Sequence, residues 1–314
     1  MSRAFTFPGQ GSQAIGMGKT LAENIPTAAD IFSQVDDALN HNLSKIMFEG
    51  PEDQLTLTEN AQPALMAVSM AIMAVLEKDF GVQIDNIAQY VAGHSLGEYS
   101  ALAAAGALSL EDTARLLRLR GQAMQRAVPV GEGAMAAILG LDFADAESVA
   151  EEAGQGEVCT AANDNADGQV VLSGHKAAVE RAIELAKKKG AKRGVLLPVS
   201  APFHCPLMQP AADEMKAALS ETNIQKPIIP VIANVTAQPE TDPDRIRDLL
   251  VEQVTGRVRW RETVTNMAGL GVTTLVEAGS GKVLTGLVRR IDRSLSGISL
   301  QSLEDIENFA KSLS

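Results

Sequence analysis

Cysteine is nearly missing from this chain: of 314 residues only Cys159 and Cys205 are cysteines. Two cannot form a disulfide framework, so a reducing compartment, the cytoplasm, is the expected home. Aromatic residues are scarce as well, at 4% with one tryptophan, while hydrophobic residues reach 46%. A core of Ala, Val, Leu, Ile and Met suits helices packed on a parallel sheet. Positive charge is in deficit, with 27 Lys and Arg against 39 Asp and Glu and a net charge of −12. That argues against nucleic acid as a main ligand, because phosphate binding needs a basic face, yet it leaves room for small anions held by one or two cations. No long uncharged apolar run is present. The best candidate, residues 61–76, is followed at once by Glu77, Lys78 and Asp79 and reads as a buried core helix, so no membrane partner is expected. No basic-then-apolar leader precedes the strand-like run at residues 3–7. Metal-ligand spacing is missing too, since His204 and Cys205 are adjacent and no other pair falls at a recognised interval.

What the chain does have is Gly93-His94-Ser95-Leu96-Gly97. Residues 87–92 before it are the short apolar run of a buried strand. Residues 98–106 after it are rich in alanine and leucine and read as helix. Strand, tight turn and helix around Gly-x-Ser-x-Gly make a nucleophile elbow, which exposes the serine hydroxyl between neighbours too small to obstruct a substrate. The helix behind Ser95 turns its free N–H groups and positive dipole end toward the same point.

Strands and helices are expected to alternate through the first third, the pattern of a parallel sheet. Ser109 and Asp112 open a helix to about Ala127, and residues 129–133 break the chain. Residues 130–197 then read as a unit of their own. Strands are expected at 134–141, 157–162, 169–173 and 192–198, with helices at 144–153 and 175–189. That order, βαββαβ, is ferredoxin-like. After Pro198 the larger pattern resumes, with helices near 207–219, 244–254, 262–270 and 282–290 and a last one from Leu303. Strands are expected near 228–233 and 273–277. The expected class is α/β: a catalytic core over 1–129 and 198–314 with a parallel sheet, carrying an inserted small subdomain at 130–197. A cleft between two such units is a common ligand site.

A serine needs a base, and the chain has four histidines. His94 adjoins the nucleophile and is expected to point away from it. His41 sits between two asparagines, as a loop or helix-end residue does, and His175 begins a helix in the small unit. His204, on a proline-containing loop where the chain returns to the main layer, is the favoured base. No carboxylate stands out as a third member. Asp213 and Glu214 fall on the next helix as surface charges, which leaves open an imidazole oriented by a backbone carbonyl or a side-chain amide. The loop Phe7-Pro-Gly-Gln-Gly-Ser-Gln13 has glycines that free N–H groups for a ligand, and the Leu96 N–H follows the nucleophile. An oxyanion hole draws on such a pair. The Glu277–Val283 glycine turn lacks the features of a phosphate-binding P-loop.

Taken in order, Phe7–Gln13, Gly93-His-Ser-Leu-Gly-Glu-Tyr99, Leu119-Arg-Gly121, Ser200-Ala-Pro-Phe-His204, Glu252-Gln253 and the turn from Glu277 to Leu284 resemble the bacterial malonyl-CoA:acyl carrier protein transacylases, over nearly the whole chain. The resemblance implies an α/β-hydrolase-like core with a ferredoxin-like insert. It implies Ser95 as the residue acylated by malonyl-CoA and His204 as its base. Gln10 and Leu96 would supply the oxyanion N–H groups, and Gln253 would orient His204 through its main-chain carbonyl. Arg120, otherwise an ordinary basic residue on a helix, would hold the malonyl carboxylate. Guanidinium matches carboxylate in a two-pronged fashion worth about 1.5–3 kcal/mol per bond. Phe203 and Leu96 look like the malonyl-selecting versions of positions that vary among related polyketide acyltransferases. Ser280 stands where the family often has proline, a small departure.

The implied partners are malonyl-CoA, with CoA as product and no further cofactor, and a holo acyl carrier protein; a monomer is the default expectation. Carrier proteins are acidic, so docking on an acidic chain calls for a local basic patch, either Lys187–Lys189 with Lys192 and Arg193, or Arg257, Arg259 and Arg261. Rivals are a free-standing acyltransferase for a polyketide synthase, a serine hydrolase, and a catalytically idle docking subunit. A hydrolase would have little use for Arg120, and an idle homologue would be expected to lack Ser95, His204 or Arg120.

Overall fold

Strand β1 (Arg3–Phe7) is buried from Ala4 onward, as a strand covered on both faces must be. Here the computed structural model, which describes residues 2–313, departs from the expected alternation. Six helices separate β1 from the next strand: α1 (Lys19–Asn24), α2 (Pro26–Leu39), α3 (Leu43–Glu49), α4 (Glu52–Thr56), α5 (Thr58–Lys78) and α6 (Ile84–Ile87). The reason lies in α5. It is apolar nearly all round, so it needs neighbours on every side, and α2, α3 and α4 pack against it. Among the described residues α5 alone is long and apolar enough to cross a membrane, and 89% of its most apolar window is buried.

The elbow strand β2 (Tyr90–Gly93) is shorter than the sequence suggests, because Ile87 ends the α6 turn. Helix α7 (Gly97–Ala104) follows, then α8 (Leu110–Ala127), whose first turn is capped as expected by Ser109 Oγ accepting from the Asp112 N–H at 3.0 Å.

The chain then builds a second sheet from β3 (Gly133–Leu139), α9 (Phe143–Gly154), β4 (Cys159–Ala166), β5 (Gln169–His175), α10 (Lys176–Lys188) and β6 (Arg193–Leu196). Its order is β4-β5-β3-β6 and every pairing is antiparallel. Alternation decides its two faces. Ala136, Ile138, Val170 and Leu172 pack with α9 and α10 in one apolar cluster, while Met135 and Val171 belong to the main core cluster.

A 3-10 turn (Pro206–Met208) leads into α11 (Gln209–Glu221), β7 (Val231–Ile232), β8 (Pro239–Glu240), α12 (Pro243–Thr255) and α13 (Trp260–Gly269). After these come β9 (Thr274–Ala278), α14 (Val283–Ile291), β10 (Ser296–Leu300) and α15 (Leu303–Lys311). The first sheet has the order β10-β9-β1-β2-β7-β8, parallel throughout except for β7 with β8. The sequence reading missed β8 and β10. One is two residues long, and the other, Ser-Gly-Ile-Ser-Leu, has its first two residues exposed at the sheet edge. The loops after β1, β2 and β9 leave the same ends of adjacent strands, where an open α/β sheet forms its ligand crevice.

Candidate active site

Gly93 closes β2 and Gly97 opens α7, and neither tolerates a side chain. A Cβ on Gly93 would lie 1.9 Å from the Gly97 carbonyl, and one on Gly97 would lie 2.2 Å from the Phe7 carbonyl oxygen. This closeness forces the turn, and Ser95 at its apex takes φ +54°, a left-handed conformation that side chains avoid. Asn234 holds the apex in place. Its Oδ1 accepts the Ser95 N–H at 2.7 Å and its Nδ2 donates to the Gly93 carbonyl at 2.6 Å.

His204 lies on the loop after β6, also at positive φ (+57°), with Nε2 2.7 Å from Ser95 Oγ. Its Nδ1 faces two acceptors, the carbonyls of Gln253 at 2.9 Å and Gly256 at 3.2 Å. Carbonyls only accept, so the ring proton sits on Nδ1 and Nε2 is left to accept from the serine. Burial, reinforced by the nearby Arg120 charge, depresses the imidazole pKa to about 3 and keeps it neutral. Among the described residues no acid occupies the third position; backbone carbonyls do.

Arg120 comes from α8 and is 1% exposed. Its Nη1 donates to Gln62 Oε1 at 2.8 Å and its Nη2 to Gln253 Oε1 at 2.8 Å, with Ser95 Oγ 3.2 Å from Nη2. The guanidinium lies 5.8 Å from the Tyr99 ring centroid, and its Nε has no acceptor among the described residues. Such a charge, walled in by neutral amides beside a nucleophile, is poised for an anion.

A cleft of about 580 Å³ gathers these groups. Gln10, Ser95, Leu96, Arg120, Phe203 and His204 all line it, so the structure brings every sequence-derived site residue together except Gln253, which reaches them from behind. Among the described residues no other group accepts the Gln10 or Leu96 N–H, so both stay available to an oxyanion. The small sheet adds Met135, Asn163, Asn165 and Val171 to the lining, and Leu197 follows its last strand. His94 turns from the serine and bonds Asn165 Oδ1 at 2.8 Å. His175 accepts the Val158 N–H at 2.9 Å, a structural part in the small sheet. Among the described residues no group of three or more His, Cys, Asp or Glu is placed to hold a metal ion.

Sequence reasoning missed Asn234, Gln62 and Glu98. Gln62 had a signal, a polar residue beside the long apolar run of α5, and so did Glu98, a carboxylate in the turn after the elbow. Asn234 had none, since its partners are 139 and 141 positions away in the chain.

Residues 4–303 match the family described as "Acyl transferase domain". The malonyl CoA-acyl carrier protein transacylase of Bacillus subtilis is 48% identical over 305 residues, 97% of this chain and 95% of its own length. The crystal structure of an acyl-carrier-protein S-malonyltransferase from Bartonella henselae superimposes with a TM-score of 0.97 at 59% identity, covering 100% of this chain and 99% of its own. A malonyl-transacylase solved in complex with its type II PKS acyl-carrier protein has a TM-score of 0.96 at 41% identity, covering 99% and 100%. With its elbow, its histidine and its buried arginine in one cleft, this chain belongs to the acyl transferase family, alongside the bacterial malonyl CoA-acyl carrier protein transacylases.

Proposed function

We propose that this enzyme moves a malonyl group from CoA to the phosphopantetheine thiol of an acyl carrier protein through a Ser95 ester, in fatty acid biosynthesis. The observation that carries the reading is the buried Arg120 guanidinium, 3.2 Å from the Ser95 oxygen. In the first half-reaction His204 Nε2 takes the Ser95 proton as Oγ attacks the thioester carbonyl. The resulting oxyanion lies between the Leu96 and Gln10 N–H groups, donors typically worth about 2.7–4 kcal/mol each. Arg120 pairs with the free carboxylate and so fixes the acyl group. The imidazolium gives its proton to the departing CoA sulfur, and the Gln253 and Gly256 carbonyls stabilise it meanwhile. In the second half the carrier thiol gives its proton to His204, attacks the ester, and leaves Ser95 protonated as at the start. No cofactor takes part. A monomer in the cytoplasm, acting away from membrane and nucleic acid, completes the reading.

Docking of an acidic carrier falls to one of the two basic clusters. Arg257, Arg259 and Arg261 are each engaged by carboxylates: Arg257 by Glu147 at 3.6 Å, Arg259 by Glu262, and Arg261 by Asp164 at 2.8 Å. In the other cluster Lys187 and Lys189 pair with Glu184 and Glu152, while Lys188, Lys192 and Arg193 have no carboxylate within 4.0 Å among the described residues. Arg193 is exposed at the start of β6 and is the better candidate, together with Lys188 and Lys192.

Intact-protein mass after mixing with malonyl-CoA, then a chase with holo carrier, tests the reading. A malonyl adduct that maps to Ser95 and moves to the carrier supports it. An adduct lost to water and indifferent to carrier favours a hydrolase. The relative solved with a PKS carrier supports a polyketide role as second reading, and chasing with both kinds of carrier separates the two.

A further inference from the structure

One carboxyl in this site has no part in the transfer just described. Glu98, on the first turn of α7, is 3% exposed. Its Oε2 accepts the Asn234 N–H at 3.0 Å and Gln253 Nε2 at 2.7 Å. The same Nε2 donates to the Ser95 carbonyl at 3.0 Å. Both acceptors lie at that end of the Gln253 amide, so its NH2 must face them and its oxygen must face Arg120, where it accepts from Nη2 at 2.8 Å. Glu98 and Arg120 make no direct ion pair, and a single amide relays one charge to the other.

Loading a malonyl group brings a second carboxylate to a guanidinium that already has one. Two carboxylates cannot both stay ionised cheaply around one buried cation, and the one that burial has made the weaker acid takes the proton. We propose that Glu98 is the resting counter-charge of Arg120, acting through Gln253, and that it takes up one proton from solvent when a carboxylated acyl group is loaded onto Ser95. Glu98 thereby sets the site's preference for malonyl over uncharged acyl groups and makes that preference depend on pH. This rests on the transfer reading above.

The neighbours make Glu98 the group that responds. Among the described residues Arg120 of α8 and Tyr99 of α7 are the ionisable groups that interact with it, and its hydrogen-bond partners Gln253 of α12 and Asn234 are neutral. Burial lifts the carboxyl to about 7, opposed by the bonds from Gln253 and Asn234 and by the Arg120 charge. A malonyl carboxylate on Arg120 cancels that last opposition and lifts it further. Tyr99 is pushed up to about 12 by burial, and His204 stays neutral above about 3, so neither titrates in the range that matters.

The test is adduct formation by intact mass, with malonyl-CoA and acetyl-CoA, at pH 6 to 9, with proton uptake read from a dilute indicator. The wild type should absorb up to one proton per malonyl adduct at pH 7.5–8 and none per acetyl adduct. Its malonyl-to-acetyl rate ratio should fall by up to about tenfold per pH unit above 7, the limit for one linked proton. Glu98→Gln keeps an oxygen for both donors but cannot titrate, so its ratio should be flat and, at pH 9, above the wild-type value. Glu98→Asp should keep a pH dependence. Equal proton uptake for the two acyl groups overturns the proposal, as does a Glu98→Gln ratio that still varies with pH. Should Glu98→Gln fail to fold, the wild-type proton count decides alone. A wild type with no malonyl adduct overturns the transfer reading and this proposal together; a malonyl adduct formed without the proton overturns only this one.

Discussion

The two sheets make unlike contributions to one cleft. In the parallel sheet β9 is buried at every residue and β1 from its second onward, with helices on both faces. In the antiparallel sheet one face lies on α9 and α10 while the other looks into the cleft, and β6 has no fully buried residue. The first holds groups whose positions are dictated by backbone contacts, namely the elbow, the free N–H groups of Gln10 and Leu96, and Asn234. The second offers side chains on a wall. The candidate chemistry therefore sits where close backbone contacts fix the main chain, while the small sheet contributes cleft-lining side chains that can change residue by residue.

The widest gap between the two should appear with Ser95→Ala. The malonyl adduct should vanish and turnover fall by about 10⁴-fold or more with the fold intact, as checked by kcat and thermal melting. Gly93→Ala attacks the rigid side itself. A Cβ 1.9 Å from the Gly97 carbonyl has to displace backbone, so a loss of about 4 kcal/mol or more is expected in denaturant titration. Arg120→Ala should lower kcat/KM for malonyl-CoA by about 10²–10³-fold, the scale of losing a buried charged contact, and leave acetyl transfer far less affected. On the small-sheet side, Lys192→Glu with Arg193→Glu should raise KM for the carrier by about tenfold, with the wild-type advantage shrinking as salt is added and kcat nearly unchanged. Reversing Arg257 instead should leave the carrier KM close to wild type. A large kcat effect from the Lys192 and Arg193 change would mean the small sheet takes part in the chemistry, and the contrast between the sheets would fail.

Much of this arrangement was legible beforehand. The small sheet was readable because its helices and strands are short, regular and bounded by glycine or proline, as at residues 129–133. The six-helix run after β1 was not, because which helix needs covering is decided by packing around α5 and not by any local pattern. In the cleft, Ser95, His204 and Arg120 sit in recognisable strings, and Glu98 in the same string as Ser95, whereas Asn234 acts through partners far along the chain. Asn234 meets Ser95 only because β2 and β7 are neighbours in the sheet. Local sequence carries no record of such neighbours. The two candidate N–H groups were legible by different routes: Leu96 follows from the elbow and Gln10 from the resemblance, while only the β1–β2 pairing shows that their loops lie side by side.

The pairing of β3 with β6 has an evolutionary consequence. The strand on which the chain leaves the parallel layer and the strand on which it returns are hydrogen-bonded neighbours, Ala136 opposite Leu196, with the Leu197 N–H on the Met135 carbonyl at 2.8 Å. An insertion whose two ends already touch leaves the host's loop-closure entropy almost untouched, whatever its length. The segment between them behaves as a cassette. A lineage could replace it wholesale, exchanging one cleft wall for another, while Ser95 and its backbone scaffold pass down unaltered.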